Sequence, residues 1–201
     1  MNGKDLERFL RIATPFSAPA LDHTARALRE VELLPLGGRG PYAAELSAQH
    51  VGRMVIALGA ADKPADAPEA VVSYEAMPAT WSGIYGPAPG FEQPPTERFR
   101  DCATFGEALT LLLGGAARGG DVESVTIVRS FPRAIIRMND GKQFYYGVTG
   151  VDEARRAGVT VKPVKVEVCF NVSVLAQLAL ELDPAHIARK AAVRRGEIGG
   201  A

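Results

Sequence analysis

A chain of 201 residues with 47% hydrophobic side chains can bury one core or two small ones. Its 23 basic and 23 acidic residues cancel, which excludes a uniformly basic nucleic-acid binder, so any grip on a polyanion has to come from local patches. The N-terminal MNGKDLERFLR is charged and lacks a signal-peptide core, and no stretch approaches the roughly eighteen apolar residues of a membrane span. These features point to a soluble, cytoplasmic protein. Two cysteines, Cys102 and Cys169, make no disulfide framework; reduced thiols are expected, and whether the two pair is left open.

Lys4 to Ala13 reads as a first helix. Ser17 caps a second, Ala18 to about Leu33, with Pro19 in the first turn, where its missing N–H is not needed. Leu21, Thr24, Ala25, Leu28 and Val31 form its inward stripe, and the opposite face carries Asp22, His23, Arg26, Arg29 and Glu30. On a groove-binding helix His23, Arg26 and Arg29 can reach phosphates or base edges. Asp22 and Glu30 oppose that use, and an ordinary solvated face explains the same pattern. The helix gives out at Leu33-Leu34-Pro35. Gly37, Gly38, Arg39 and Gly40 follow, a low-bulk loop that suits either a phosphate contact through Arg39 or a simple chain reversal. Ser47 opens a third helix, Ala48 to Ala60, with Val51, Met54, Val55 and Leu58 as its stripe.

The run DHTARALREVELLPLGGRG…LSAQHVGRMVIALGAAD is similar to the N-terminal part of uncharacterised proteins found in bacterial prophages. It also resembles the winged-helix part of MerR-type regulators, in which a helix is followed by GLLP and an arginine-bearing turn. The matching residues are Ala25, Leu28, Arg29, Leu33, Leu34, Pro35, Gly37, Gly38, Arg39 and Gly40, within roughly the first third of the chain. Where the MerR-type pattern carries glycine before LLP, this chain has Glu32-Leu33. The resemblance implies a nucleic-acid role in phage gene control or DNA packaging.

Residues 62–77 read as a polar turn and a short helix with Val71, Val72, Tyr74 and Met77 apolar. Prolines and glycines from Pro78 to Pro95 exclude a long helix or central strand. This linker or loop carries Trp81, Tyr85 and Phe91, which either dock on a protein partner or pin the loop to its own domain. Thr104 and Glu107 form a capping-box pattern for a short helix in 104–116, with Phe105, Leu109, Leu112 and Leu113 inward. Strands are expected at 122–130, 134–138 and 143–147, the latter two closed by the Asn139-Asp140-Gly141-Lys142 turn. Residues 151–157 read as a short helical turn and 160–170 as a fourth strand. A helix opened by Asn171 or Ser173 carries Val174, Leu175, Leu178 and Leu182. The tail from Asp183-Pro184 clusters Arg189, Lys190, Arg194 and Arg195, which suits a nucleic-acid backbone or a solvated helix end.

The expected architecture is α+β: an N-terminal helical unit of winged-helix or helix-turn-helix type (1–77), a Pro/Gly-rich linker or long loop (78–103), and an α+β domain with an antiparallel meander and a basic C-terminal helix (104–201). No phosphate-binding Walker pattern, zinc-ligand spacing or nucleophile elbow is present. The expectation is therefore a non-enzymatic protein without cofactor or metal, and with the resemblance it is a phage-type DNA-binding protein. Its expected partners are double-stranded DNA and a second copy of itself, with no membrane. The alternative is a phage assembly or protein-interaction protein.

Overall fold

The computed structural model describes residues 1–36, 43–80, 101–115, 122–148, 151–156, 158 and 166–194. In chain order the elements are α1 (Gly3–Ala13), α2 (Ala18–Glu30), α3 (Ala48–Ala60), a 3-10 turn (Pro64–Asp66), α4 (Ala67–Glu75), β1 (Ala79–Thr80), α5 (Phe105–Leu113), β2 (Val122–Val128), β3 (Arg133–Met138), β4 (Gln143–Gly147), α6 (Val151–Arg156), β5 (Glu167–Asn171), α7 (Val172–Leu182) and α8 (Pro184–Arg194). This is a mixture of helices and antiparallel sheet, an α+β arrangement.

Helix α3 is the hub. Nine of its 13 residues are buried. Its sequence AQHVGRMVIALGA has almost no polar face, and a helix apolar all round belongs inside a core. Helices α2, α4 and α5 pack around it, and strand β2 lies across its C-terminal half. Gly59 sets that last contact: a methyl group there would stand 2.5 Å from Ile127 Cδ1, so only glycine lets helix and strand close to this distance. Gly52 faces Leu109 and Leu113 of α5 in ordinary contact. One cluster of buried apolar side chains runs from Leu6 and Leu10 through Met54, Phe105 and Ile127 to Leu178, taking residues from both sides of the 78–103 stretch.

The sheet has the order β1-β4-β3-β2-β5, antiparallel throughout. Val125, Ile127, Ala134, Ile136, Met138, Tyr146 and Phe170 are buried in the main core. Val128, Phe131 and Ala154 form a small separate cluster with Val148. The hairpin between β3 and β4 turns at Asn139–Lys142 as its sequence requires. Gly141 has φ +83°, and the Lys142 N–H donates to Asp140 Oδ1 at 3.0 Å.

Tertiary bonds tie α3 to the sheet. The last carbonyls of a helix have no partner within it. Arg129, just past β2, donates from Nε to the Gly59 carbonyl and from Nη2 to the Leu58 carbonyl, both at 2.6 Å. Tyr74 of α4 donates its buried hydroxyl to the Val128 carbonyl at 2.5 Å.

Two apolar positions depart from the sequence expectation. Val31 is 51% exposed because α2 stops at Glu30 and leaves it as the C-cap, off the inward stripe. Val72 is 59% exposed because α4 turns Val71 and Tyr74 inward, which points its other side to solvent. The fourth strand begins at Glu167; residues 160–165 of its expected span, and Trp81, Tyr85 and Phe91, lie outside the described residues. Cys102 is buried, Cys169 is exposed, and no disulfide joins them.

Candidate nucleic-acid interface

The candidate interface is built from residues 1–46. Asn2 caps α1, accepting from the Asp5 N–H while Asp5 accepts from the Asn2 N–H. This capping box fixes where the helix starts. Thr14 ends α1, its backbone N–H and its hydroxyl both donating to the Leu10 carbonyl. Only residues 14–17 separate the two helices before Ser17 caps α2 through the Ala20 N–H. Leu6 and Leu10 of α1 and Leu21, Ala25 and Leu28 of α2 are buried in the common core.

The exit from α2 is a tight helix stop. The Glu32 N–H donates to the Arg29 carbonyl at 3.1 Å and the Leu33 N–H to the Leu28 carbonyl at 2.9 Å. Those two bonds make a Schellman motif, whose turning residue takes the left-handed conformation and is usually glycine. Glu32 occupies that position with φ +60°, the one positive-φ non-glycine among the described residues. It is also the position at which the MerR-type pattern carries glycine. Arg53 of α3 then holds the exiting chain, donating from Nη1 to the Leu33 carbonyl at 3.2 Å while its Nε pairs with Glu75 at 3.1 Å.

The chain returns to its own beginning. Glu45 forms an antiparallel bridge with Asn2, and the Leu46 N–H donates to the Met1 carbonyl at 2.9 Å. Ser47 then caps α3, with the His50 Nδ1 accepting from the Ser47 N–H at 3.1 Å. Burial, and next the Arg53 charge, lower the His50 pKa. The flanks of the glycine-arginine loop are thus both anchored, at Leu33–Leu34 on one side and Glu45–Leu46 on the other.

The structure places the sequence-nominated residues unevenly. His23 and Arg26 are exposed on α2, but Arg26 pairs with Asp22 of its own helix at 2.9 Å. Arg29 is turned toward α1, where it pairs with Glu7 at 2.9 Å, both side chains about one-quarter exposed. It therefore does not share the open face of His23 and Arg26. Arg39 and Arg195 lie outside the described residues. Arg189 is exposed on α8, which packs against α7; Lys190 and Arg194 are on the same helix, their side chains outside the described set. The open face of α2 carries Asp22, His23, Arg26 and Glu30, one cation against two carboxylates.

Sequence reasoning passed over Lys4, Arg8 and Arg11. All three are exposed on α1. Their i, i+4, i+7 spacing puts them on one helix face, a signal readable from the sequence once α1 is treated as a helix with a solvent side. A cleft of about 610 Å³ is walled by α1, α2, Met54 of α3 and the segments Leu34–Pro35 and 43–46; Lys4, Asp5, Glu7, Asp22 and Arg29 line it, so the polar edges of α1 and α2 border the same depression. Among the described residues, no three His, Cys, Asp or Glu side chains are grouped to hold a metal ion, and no helix is long and apolar enough to cross a membrane. No protein-family model, curated protein or solved structure matches this chain.

Proposed function

We propose that the chain is a phage-type protein that binds double-stranded DNA through a winged-helix unit at its N-terminus, as a transcriptional regulator or a DNA-packaging recognition component. One observation carries the reading: α1, a four-residue turn and α2 are followed by a segment that comes back to bridge Asn2 at Glu45. A helix pair closed by a returning segment suits a unit that presents a second helix and a loop side by side. The left-handed Glu32 adds to it, since the chain stops its helix at the position where the resembling pattern carries glycine.

In this reading α2 enters a major groove with His23 and Arg26 toward base edges. Arg39 lies at the adjacent backbone, and Arg189, Lys190, Arg194 and Arg195 supply a second, sequence-independent contact. A single unit of this size grips weakly, so the working form is a homodimer matched to a two-fold site. The role is non-enzymatic, without cofactor, and cytoplasmic. A second reading, an assembly or interaction protein, draws on Leu36 and Val31, which are 74% and 51% exposed beside the loop. In that reading the proline-rich aromatic loop adds a further protein contact.

Fluorescence anisotropy with 20-base-pair duplexes at low salt tests the proposal. Binding that strengthens on a sequence selected from a random pool supports it. No binding to any duplex at micromolar protein overturns it and leaves the interaction reading.

A further inference from the structure

We propose that the solvent face of α1, carried by Lys4, Arg8 and Arg11, is the main phosphate-contacting surface of the protein, and that Arg26 and Arg29 are not phosphate ligands. This inference rests on the duplex-binding reading given above and names where that binding is held.

The charge accounting of residues 1–46 leads to it. Counterion release requires cations that phosphates can reach and that no carboxylate already neutralises. Arg26 is matched by Asp22 and Arg29 by Glu7. Among the described residues no carboxylate pairs with Lys4, Arg8 or Arg11, and all three are exposed. The other acids of this segment divide into engaged and exposed ones. Asp5 turns its carboxylate back to the Asn2 N–H in the capping box, and Glu7 is held by Arg29. Glu30, Glu32 and Glu45 are exposed, at the end of α2, at its exit and on the returning segment.

Geometry supports a shared face. At 3.6 residues per turn, positions 4, 8 and 11 fall within about 60° of arc, and they span about 10.5 Å along the axis. Phosphates of one DNA strand advance about 3.4 Å along the duplex axis per step, so the stripe matches three successive steps. Lys4 also lines the cleft that Asp5, Glu7, Asp22 and Arg29 line, so the N-terminal end of the stripe borders the depression between α1 and α2. In helix-turn-helix docking the first helix crosses the backbone, and here that helix holds three unpaired cations.

The test is anisotropy on one random-sequence 20-base-pair duplex between 50 and 200 mM salt. The proteins are wild type, the triple variant Lys4→Gln/Arg8→Gln/Arg11→Gln, the single variant Arg26→Gln, and Arg8→Lys/Arg11→Lys as the charge-retaining control. Each phosphate contact contributes about 0.9 to the slope of log affinity against log salt. The triple variant is expected to lose about 2–3 units of slope and on the order of a hundredfold in affinity near 0.1 M salt. Arg26→Gln should keep the slope, as should the lysine control. Circular dichroism establishes that the triple variant is folded. A triple variant that binds with wild-type slope overturns the α1 assignment while duplex binding stands. Wild type that fails to bind overturns the duplex reading itself and this assignment with it.

Discussion

Arg129→Met is the perturbation whose cost the structure specifies most fully. The guanidinium makes two charged hydrogen bonds of 2.6 Å to the Leu58 and Gly59 carbonyls, at the C-terminal end of the most buried helix. Hydrogen bonds to charged groups contribute about 1.5–3 kcal/mol each when buried. A cation at a helix C-terminus adds about 0.3–1 kcal/mol. Arg129 is partly exposed, so water can replace some of this, and methionine keeps the aliphatic packing. A net loss of about 3 kcal/mol is the result. For a domain of this size each kcal/mol lowers Tm by about 2–4 °C, so the variant should melt about 6–12 °C below wild type. Arg129→Lys should fall between, because an ammonium cannot fork across two carbonyls. Thermal melts followed at 222 nm and urea titrations measure this, with the midpoint shifting and the urea slope unchanged. A variant that melts within about 1 °C of wild type would refute the idea that Arg129 ties α3 to the sheet.

Two further outcomes follow from local chemistry. Glu32→Gly should stabilise the protein by about 0.5–1 kcal/mol, because a non-glycine left-handed residue costs about 1–2 kcal/mol and glycine returns only part of that as unfolded-state entropy. A lowered urea midpoint would show that the Glu32 side chain contributes something the backbone argument leaves out. The Tyr74 phenol is pushed up to about 12 by burial, with Arg129 opposing and Asp62 adding, and burial raises Tyr146 as well. From about pH 10 to about pH 12 the folded chain keeps protons that the unfolded chain has lost, so stability falls as pH rises through that window. Tyr74→Phe should cost about 1 kcal/mol at neutral pH and make the alkaline decline shallower; an unchanged decline in Tm from pH 9 to 11 would contradict the assignment.

Local patterns made much of the fold legible. The limits of α3, the Thr104–Glu107 cap of α5, the Asn139–Lys142 turn and the strands on either side all follow from capping chemistry, apolar spacing and glycine placement within a few residues. Long-range relations were not legible. Ala79–Thr80 pairs with β4 as an edge strand, and β5 pairs with β2 outside the meander, both set by contacts between distant segments. The hub position of α3 was visible only as an unusually apolar helix. In the candidate interface the basic residues of α2 could be read off, but not their partners. Glu7 is 22 residues from Arg29, and only the folded α1–α2 pair brings them to 2.9 Å. Lys4, Arg8 and Arg11 belong to no motif, and their shared face shows only once α1 is drawn as a helix with a solvent side.

Hydrogen exchange with and without saturating 20-base-pair duplex tests the central claim most directly, because it locates the contact whatever the sequence preference. The account predicts added protection in residues 1–46, strongest in α1 and at the N-terminal turns of α2, with α4, α5 and the sheet unchanged. Protection confined to α8, or to the sheet, would contradict a winged-helix unit at the N-terminus as the DNA-binding element.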